Sequence, residues 1–340
     1  MRIEATVTSM SWIPSESLRG ALRAGMDLQL SHWDDPPPDQ VPSAEVVHEL
    51  CREDRFRFAN VLSVWAEVED DRIVEFGHHE DSGLVMGATT VRVGGIGATF
   101  RAASLPVLRQ EPAPVDGAVR FVQTVGGRTG VPLPRPVPHP PFVRWQAPLV
   151  WTTLGLTLRP DGTSDVELTG ASAFPRHWVY DASGRVALKS GLTDQASWMS
   201  HSFGVRTPWR DHDREALVVE VESELERQLS LDIMRGGTKP EVRRLKEGAV
   251  LTKQGDVGDE LYLILDGVVS VDVDGNALGE LGPGAVVGER ALLEGGRRTS
   301  TVTAQSPLRV AVAALGDIDL DKLRTLAESH RREDLVEADD

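Results

Sequence analysis

The aromatic residues of this chain are distributed so unevenly that one uniform core is excluded. All eight tryptophans and all eight phenylalanines lie at or before Trp209, and beyond it Tyr262 is the only tyrosine, phenylalanine or tryptophan. Aromatic side chains fill large parts of a protein core, so the later residues must build theirs mainly from aliphatic groups. At 340 residues the chain is also long enough for two domains.

The charge of the chain limits its partners. Lysine and arginine total 36 against 52 aspartates and glutamates, which gives a net charge of −16. Nonspecific affinity for nucleic acids and for anionic membranes comes from cationic groups, so we expect neither as a partner. The first residues lack the pattern of a secretory signal, and the single cysteine, Cys51, excludes an internal disulfide. These features predict a cytoplasmic protein.

A helix is predicted between the two domains. Across residues 213–233 apolar residues recur at every fourth position with glutamates between them, as in an amphipathic helix. The stretch RGGTKP at 235–240 should end it, because glycines disfavour a helix and proline lacks the next donor. We therefore predict a domain over 1–212, a linking helix and hinge over 213–240, and a second domain over 241–340.

The first domain is predicted to be mainly antiparallel β. Hairpins are indicated by strand and turn residues at 61–76, 154–170 and 177–190. Short helices are predicted near 15–25, 43–53 and 194–203. Two proline clusters, 34–39 and 131–142, are predicted to be surface loops or polyproline II segments, because proline fixes φ and removes a donor.

The second domain is a run of short strands separated by glycines. Turn signals occur at Gly255, Gly258, Gly267, Gly275 and Gly282. Strands this short and regular predict a small closed barrel or jelly roll, and a final helix is predicted over 319–334. The predicted fold class is α+β and mostly β: an N-terminal antiparallel domain, a linking helix, and a C-terminal β-roll with a short terminal helix.

The stretch VGERALLEGGRRTSTVTA, residues 287–304, has the features of an anion site. Gly288 and Glu289 precede a short apolar helical turn, whose free N–H groups would attract an anion. Arg298 returns on the next strand and adds a two-pronged donor suited to phosphate. Glu289 would repel an anion, so we expect it to accept from a sugar hydroxyl or to pair with an arginine. The combination predicts a site for a phosphate attached to ribose.

The region from about Val242 to Leu323 resembles the cyclic nucleotide-binding domain family, the β-roll of catabolite activator proteins, kinase regulatory subunits and gated channels. Three blocks carry the resemblance in order and spacing, KQGDVGDELYLILDG, LGPGAVVGERALL and RRTSTVTA. The resemblance implies a ligand, cyclic AMP (cAMP) or cyclic GMP (cGMP), and a set of binding residues. These are Gly288, Glu289, Arg290, Ala291, Arg298, Thr299 and Ser300.

By that resemblance, Glu289 would hold the ribose 2′-hydroxyl and Arg298 the cyclic phosphate. Residues 288, 290 and 291 would offer backbone N–H groups, and the two hydroxyl residues would line the pocket near phosphate or base. The glycines at 255, 258 and 267 would be structural turns only. Thr299 is frequent in members that respond to cyclic GMP, but many cyclic AMP binders tolerate it, and cyclic AMP is favoured.

Three departures from the family pattern matter. Val287 stands where phenylalanine is common before the Gly-Glu pair, which implies a change of packing rather than of chemistry. Only about twenty residues follow Ile318, so we expect no helix-turn-helix for DNA. The aromatic or apolar side chain that commonly caps the base is absent, or is His330, or comes from the first domain or another subunit.

No family is recognised in residues 1–235, and two functions remain open. The protein is either a nucleotide sensor that docks a protein partner or forms a homo-oligomer, or an enzyme with its active site in residues 1–212. Neither a nucleophile–base pair nor a metal-ligand spacing stands out, so we favour the sensor, with no catalytic residue and no metal. His177, Tyr180 or Asp181 in a deep cleft beside another titratable group would favour the enzyme.

Two further motifs in the first domain have structural interpretations. FGHHED at 76–81 is interpreted as a solvated hairpin end, because neighbouring residues of a strand point to opposite faces and ligate a metal poorly. VGGRTG at 125–130 is interpreted as a mobile turn, because it lacks the lysine and the helix of a phosphate loop.

Overall fold

The chain divides into two compact units. The structure is a computed structural model, and it describes residues 1–31, 34–93, 96–136, 140–190, 195, 208–209, 218–219, 224–235, 240–293, 296–314 and 321–325. Apart from two three-residue segments, the first unit runs from Met1 to Val218 and the second from Val219 to Asp340. Within the described residues, no helix is both long enough and apolar enough to span a bilayer.

The first unit is built mostly from strands. They are β1 (Arg2–Trp12), β2 (Phe58–Glu69), β3 (Arg72–His78), β4 (Gly83–Met86), β5 (Thr89–Val93), β6 (Ile96–Phe100), β7 (Ala103–Ser104), β8 (Leu108–Arg109), β9 (Ala113–Val115), β10 (Ala118–Arg128), β11 (Leu133–Pro136), β12 (Val143–Gln146), β13 (Leu149–Leu158), β14 (Ser164–Ala171), β15 (Arg176–Tyr180), β16 (Val186–Ser190) and β17 (Val218–Val219). Two of its helices are α1 (Gly20–Asp27) and α2 (Ala44–Arg52).

Two antiparallel sheets of this unit share one core. The first has the order β17-β16-β15-β1-β2-β3 with β4 beside β2, and the second has the order β14-β13-β10 with β7, β8 and β9 along β10. Alternating side chains of β1 and β2 meet those of β10 and β13, as in a two-layer β structure. The prediction of a mainly antiparallel domain is confirmed.

The three predicted hairpins are present as β2–β3, β13–β14 and β15–β16. At the first of them, Asp70 and Asp71 both have positive φ, as a tight hairpin turn requires. The helices predicted near 15–25 and 43–53 correspond to α1 and α2. The helix predicted at 194–203 lies outside the described residues except for position 195.

The prediction for the proline cluster at 131–142 is wrong in part, because Leu133–Pro136 is β11, paired with β12. An isolated pair of strands leaves one edge of each without a partner, and proline is tolerated where its missing donor would face outward. The cluster at 34–39 has neither helix nor strand, as predicted, and Asp35 and Asp39 are exposed, but it is anchored to the unit. Pro37 is buried, and Tyr180 Oη donates to the carbonyl oxygen of Pro38 at 2.8 Å.

The glycine motif at 125–130 is not a turn, because Gly126 and Gly127 lie inside β10. A Cβ at Gly126 would come within 2.4 Å of the Trp209 ring, and one at Gly127 within 2.4 Å of Met86 Sδ. These glycines are therefore explained by close packing on both faces of the strand.

The helix predicted over 213–233 is present only in its second half, and part of its first half is a strand. Val218–Val219 is β17, whereas helix α3 runs over Glu224–Arg235, two residues beyond the predicted end. Valine is β-branched and favours the extended strand, which outweighs the four-residue spacing there. Positions 213–217 and 220–223 lie outside the described residues.

The second unit contains the predicted β-roll. Its strands are β18 (Glu241–Leu245), β19 (Val250–Thr252), β20 (Glu260–Asp266), β21 (Val269–Val273), β22 (Asn276–Leu281), β23 (Val286–Val287), β24 (Thr301–Ala304) and β25 (Leu308–Ala314). Helix α4 is Glu289–Leu293, and α5 comprises residues 321–325. The strands form two four-stranded sheets, β18-β25-β20-β23 and β19-β24-β21-β22.

Strand β20 is buried on both faces. Tyr262 and Ile264 point into the core between the two sheets. Leu261, Leu263 and Leu265 point the other way, into a second core that includes α3 and Leu323 of α5. This double burial explains why the strand sequence is almost continuously apolar instead of alternating. Most of the predicted terminal helix lies outside the described residues.

We expect the ion pair between Asp34 and Arg57 to hold the first proline cluster in place. Asp34 is 1% exposed and Arg57 5%, and Asp34 Oδ2 also accepts from the backbone N–H of Ile13 at 3.0 Å. Asp34→Asn should lower the free energy of unfolding by about 3 kcal/mol, because it removes the buried carboxylate that pairs with the Arg57 guanidinium and leaves the longer contact to the more exposed Asp54, at 3.6 Å. Chemical denaturation measures this change.

The neighbouring aspartate provides a matched control. Asp35 pairs with Arg55 at 3.1 Å, but its side chain is 62% exposed. Asp35→Asn should therefore change the free energy of unfolding by less than about 1 kcal/mol. Equal effects of the two substitutions would contradict the assigned role of the buried pair.

Candidate functional site

The described parts of the segment that the sequence singled out, 287–293 and 296–304, form an arch in the second unit. Strand β23 ends at Val287, Gly288 turns the chain with a φ of +96°, and helix α4 begins at Glu289. After the helix, the N–H of Gly296 donates to the carbonyl oxygen of Ala291 at 2.7 Å. The chain then reaches Arg298 and enters β24. A positive φ at Gly288 favours glycine over any other residue.

Arg298 is the most enclosed cation of this arch. It is 7% exposed, and its Nη1 donates to the carbonyl oxygen of Glu260 at 2.8 Å and to that of Gly288 at 3.5 Å. Its backbone is fixed as well, because its N–H donates to the carbonyl oxygen of Asp256 and its own carbonyl accepts from Gly255, both at 2.8 Å. The guanidinium is therefore held at one place in the roll.

Two glycines make room for this guanidinium. A Cβ on Gly258 would lie 2.1 Å from Arg298 Nε, and one on Gly288 would lie 2.5 Å from Arg298 Nη1. The expectation that Gly258 is a turn residue is wrong, because its φ is not positive and its role is to admit the arginine. Gly255 and Gly267 have φ values of +86° and +93° and fit the turn prediction.

A tyrosine and a carboxylate lie next to the arginine. The Cζ of Arg298 is 5.2 Å from the centroid of the Tyr262 ring, within the range of a cation–π contact. The hydroxyl of Tyr262 donates to Glu260 Oε2 at 2.6 Å. Glu260 also accepts two hydrogen bonds from Arg243, at 2.7 and 2.5 Å. Both guanidinium groups therefore adjoin the same Tyr262–Glu260 pair.

The charges of this cluster fix its protonation. Hydrogen bonds from Arg243 and Tyr262 and the nearby charge of Arg298 lower the pKa of Glu260. Burial, and then the hydrogen bond to Glu260, raise the pKa of Tyr262. Glu260 is consequently a carboxylate and Tyr262 a neutral donor at neutral pH.

The other predicted ligand residues also lie in the arch. Glu289 is 6% exposed and Ala291 1%, whereas the remaining four are partly buried, namely Gly288, Arg290, Thr299 and Ser300. The carbonyl oxygen of Ser300 accepts from Thr252 Oγ1 at 3.4 Å. Three of the seven predicted residues therefore lie within α4, one precedes it and three follow it.

Sequence reasoning missed Glu260 and Tyr262 as parts of this site. Its interpretation treated the block KQGDVGDELYLILDG as strand and turns. One signal could have found Tyr262, since it is the only phenylalanine, tryptophan or tyrosine after Trp209.

Helix α3 is tied to the strand that leads into the arch. Oε1 of Glu226, which is 5% exposed, accepts from the backbone N–H of Val286 at 3.1 Å. Leu229, Ile233 and Met234 share a core with Leu292 and Leu293 of α4. A displacement of α4 would therefore change the surroundings of α3.

In the first unit, the three residues that could have indicated an enzyme have structural contacts. His177 is fully buried, and burial lowers its pKa to about 4. Its Nδ1 lies 2.6 Å from Ser11 Oγ, and its Nε2 lies 2.8 Å from the carbonyl oxygen of Ser172. Tyr180 is likewise buried. The carboxylate of Asp181 accepts from the N–H and hydroxyl of Ser183 at 2.8 and 2.6 Å, as in a turn.

The paired histidines of the first unit also have separate surroundings. The ring of His78 packs edge-on against Phe121 with 5.3 Å between centroids, and burial, followed by the charge of Arg109, lowers its pKa. Nε2 of His79 instead faces Glu4 at 3.5 Å. Over the described part of the chain, no three His, Cys, Asp or Glu residues are grouped to hold a metal ion.

The close approach at Gly258 generates a testable prediction about stability. Gly258→Ala should lower the free energy of unfolding by about 1–3 kcal/mol, because the new methyl group displaces Arg298 from its charged hydrogen bond and ring contact. Gly279→Ala is the control, since a Cβ there has nothing within 4 Å. Chemical denaturation measures the free energy of unfolding of both variants. The double substitution of Gly258→Ala with Arg298→Ala should lose little stability beyond that lost by Arg298→Ala alone. Additive losses would contradict the assigned contact.

Comparison with known proteins places the arch in a known domain. Residues 242–328 match the family model of the cyclic nucleotide-binding domain. A cyclic nucleotide-gated potassium channel of Mesorhizobium japonicum is 37% identical over 81 residues, which cover 24% of this chain and 22% of the channel. A cAMP-dependent protein kinase regulatory subunit of Debaryomyces hansenii is 38% identical over 73 residues, which cover 22% of this chain and 16% of the subunit.

Among solved structures, the catabolite activator protein of Thermus thermophilus is 26% identical with a TM-score of 0.28, and the alignment covers 34% of this chain and 59% of that one. The chain spans less than a quarter of the length of the two curated relatives. The match to the family model lies within the second unit and includes both sheets of the roll, the arch and Arg298. The C-terminal third of this chain is a cyclic nucleotide-binding domain.

Proposed function

We propose that this protein is a regulatory sensor that binds a 3′,5′-cyclic nucleotide in its second unit and signals to a protein partner or to another copy of itself. The observation that carries the proposal is the guanidinium of Arg298, fixed and almost enclosed within a domain of this family. Holding a cation at low exposure is costly unless charged or polar groups pair with it. An anionic ligand would offset that cost.

The proposed contacts follow the chemistry of the ligand. Arg298 would bind the cyclic phosphate, and backbone N–H groups at 288, 290 and 291 would add donors. Glu289 would accept from the ribose 2′-hydroxyl, while Thr299 and Ser300 would line the pocket. Tight charge-assisted bonds to phosphate are the strongest of these, so the phosphate contact should dominate affinity. No metal is required by this scheme.

We propose cyclic AMP as the preferred ligand. Thr299 offers a hydroxyl that can meet the 2-amino group of a guanine, but the same residue is compatible with adenine. A cytoplasmic location also belongs to the proposal, on the ground of an acidic chain with one cysteine.

The proposed signal passes from the arch to helix α3. The hydrogen bond from Val286 to Glu226 joins the two, and the side chains of Leu292 and Leu293 share a core with that helix. A ligand shifts a conformational equilibrium only by its differential affinity for the two states, typically about 1–3 kcal/mol. Such a shift can alter the packing of α3 without unfolding the roll.

Calorimetric titration of the full chain tests the binding proposal. Cyclic AMP should bind at least as tightly as cyclic GMP, and Arg298→Ala should weaken binding about ten- to a hundredfold, because a charge-assisted bond to phosphate contributes about 1.5–3 kcal/mol. Glu289→Gln should weaken binding less, because an amide oxygen still accepts from the ribose hydroxyl.

Arg297→Ala is the matched control, because this exposed neighbour donates to the carbonyl oxygen of Gly255 at 2.8 Å and is not assigned to the ligand. It should leave affinity within about threefold of wild type. Unchanged affinity in Arg298→Ala would overturn the assignment of the phosphate site. A cyclic GMP affinity tenfold above that of cyclic AMP would overturn the ligand preference alone.

Hydrogen exchange tests the proposed signal. On adding saturating cyclic nucleotide, the amides of residues 284–293 should gain protection, and those of Glu224–Arg235 should change as well, because Glu226 and the shared core couple the two. Exchange monitored by mass spectrometry on the full chain resolves both segments. If protection changes around α4 while α3 stays the same, the domain binds its ligand but does not signal through this helix.

A further inference from the structure

Tyr262 lies beside the arginine of the proposed phosphate site, although the family resemblance assigned it no contact with a ligand. Its ring centroid is 5.2 Å from Arg298 Cζ. Its hydroxyl donates to Glu260 Oε2 at 2.6 Å, and the backbone carbonyl of that same Glu260 accepts from Arg298 Nη1 at 2.8 Å. One residue therefore contacts the guanidinium through the ring and is anchored through the hydroxyl.

We propose that Tyr262 is a positioning residue for ligand binding: its ring, anchored by Glu260, holds the Arg298 guanidinium in the orientation that meets the cyclic phosphate. This inference rests on the proposed function. Tyr262 would not touch the ligand itself and would act only through the arginine.

The physical reason is the flexibility of arginine. A free arginine side chain has many rotamers, and ordering it on binding costs conformational entropy. The Tyr262 ring and the carbonyl oxygen of Glu260 restrict the guanidinium to one orientation before the ligand binds. The conformational entropy of the side chain is then lost on folding rather than on binding, so the phosphate binds a donor group that is already oriented.

The anchor of the ring is itself braced. Glu260 accepts two hydrogen bonds from Arg243 of β18, the edge strand of the same sheet. The Arg243 Cζ lies 6.0 Å from the Tyr262 centroid. The ring is thus flanked by two cations and fixed by one carboxylate, which limits its rotation.

A purely structural role makes a different prediction. Tyr262 is also part of the core between the two sheets, together with Ile264 of the same strand face. If it served packing alone, its loss would weaken ligand binding by loosening the roll, whatever residue stands at 298. If it positions the arginine, its loss matters only while the guanidinium is present.

A double-mutant cycle on the full chain separates the two. Affinity for cyclic AMP is measured by calorimetry for wild type, Tyr262→Leu, Arg298→Gln and the double variant. Tyr262→Leu should weaken binding about tenfold in the wild-type background and less than twofold when Arg298 is already glutamine. Tyr262→Phe, which keeps the ring, should lose less than Tyr262→Leu. If Tyr262→Leu does not fold, Tyr262→Met, which keeps more of the buried volume, replaces it in the cycle.

Ile264→Ala is the packing control, because Ile264 is fully buried on the same face and belongs to the same core. Its effect on affinity should be the same factor in both backgrounds. Equal losses from Tyr262→Leu in the two backgrounds, or no loss in wild type, would overturn the positioning role while leaving nucleotide binding intact. If wild type binds neither cyclic AMP nor cyclic GMP, the proposed function fails, and this inference fails with it.

Discussion

The hydrogen bond from the guanidinium of Arg298 to the carbonyl oxygen of Glu260 is the central contact of the candidate site. A cation at 7% exposure needs compensation for the water that it loses. The surrounding residues supply part of that compensation through a carbonyl oxygen, an aromatic ring and a nearby carboxylate. The guanidinium also requires space, which exists because Gly258 and Gly288 lack the Cβ atoms that would overlap it. Gly258, Gly288, Tyr262 and Glu260 all adjoin this one arginine.

Strand β20 connects this arginine to the outer surface of the roll. Its even-numbered residues Tyr262 and Ile264 face the inner core, and its odd-numbered leucines face the core that contains α3 and α4. Because alternate residues of one strand point to opposite faces, a shift of the strand would change the packing of both cores. Interiors are close-packed and transmit small displacements. The apolar side chains of α3 therefore rest against the same strand that carries the ring beneath Arg298.

The sequence predicted the parts of the structure that depend on local pattern. Hairpins with Asp-Asp or Pro-Asp-Gly turns, the glycine-separated strands of the roll and the Gly288–Arg298 segment follow from turn chemistry and spacing. Residues whose role depends on distant contacts were misjudged. Gly258 was interpreted as a turn, but its neighbour is a guanidinium forty residues away. Gly126 and Gly127 were interpreted as a mobile turn, and they are strand residues pressed against Trp209 and Met86. Val218–Val219 lies within the stretch predicted to be helical, yet β17 belongs to the first sheet.

The position of Glu226 shows how a helix outside the roll can respond to an event inside it. A buried carboxylate that accepts from a backbone N–H is strongly restricted in geometry, so Glu226, the third residue of α3, is held at Val286. Val286 lies two residues before Gly288, whose positive φ makes it the point where the chain direction changes. A ligand that draws the residues after Gly288 toward Arg298 must either leave Val286 in place and strain the glycine, or carry Val286 and Glu226 along. The low conformational cost of glycine permits the first movement, and the buried hydrogen bond opposes separation in the second. In the proposed signal, the balance between these two terms would decide how much of a binding event reaches α3.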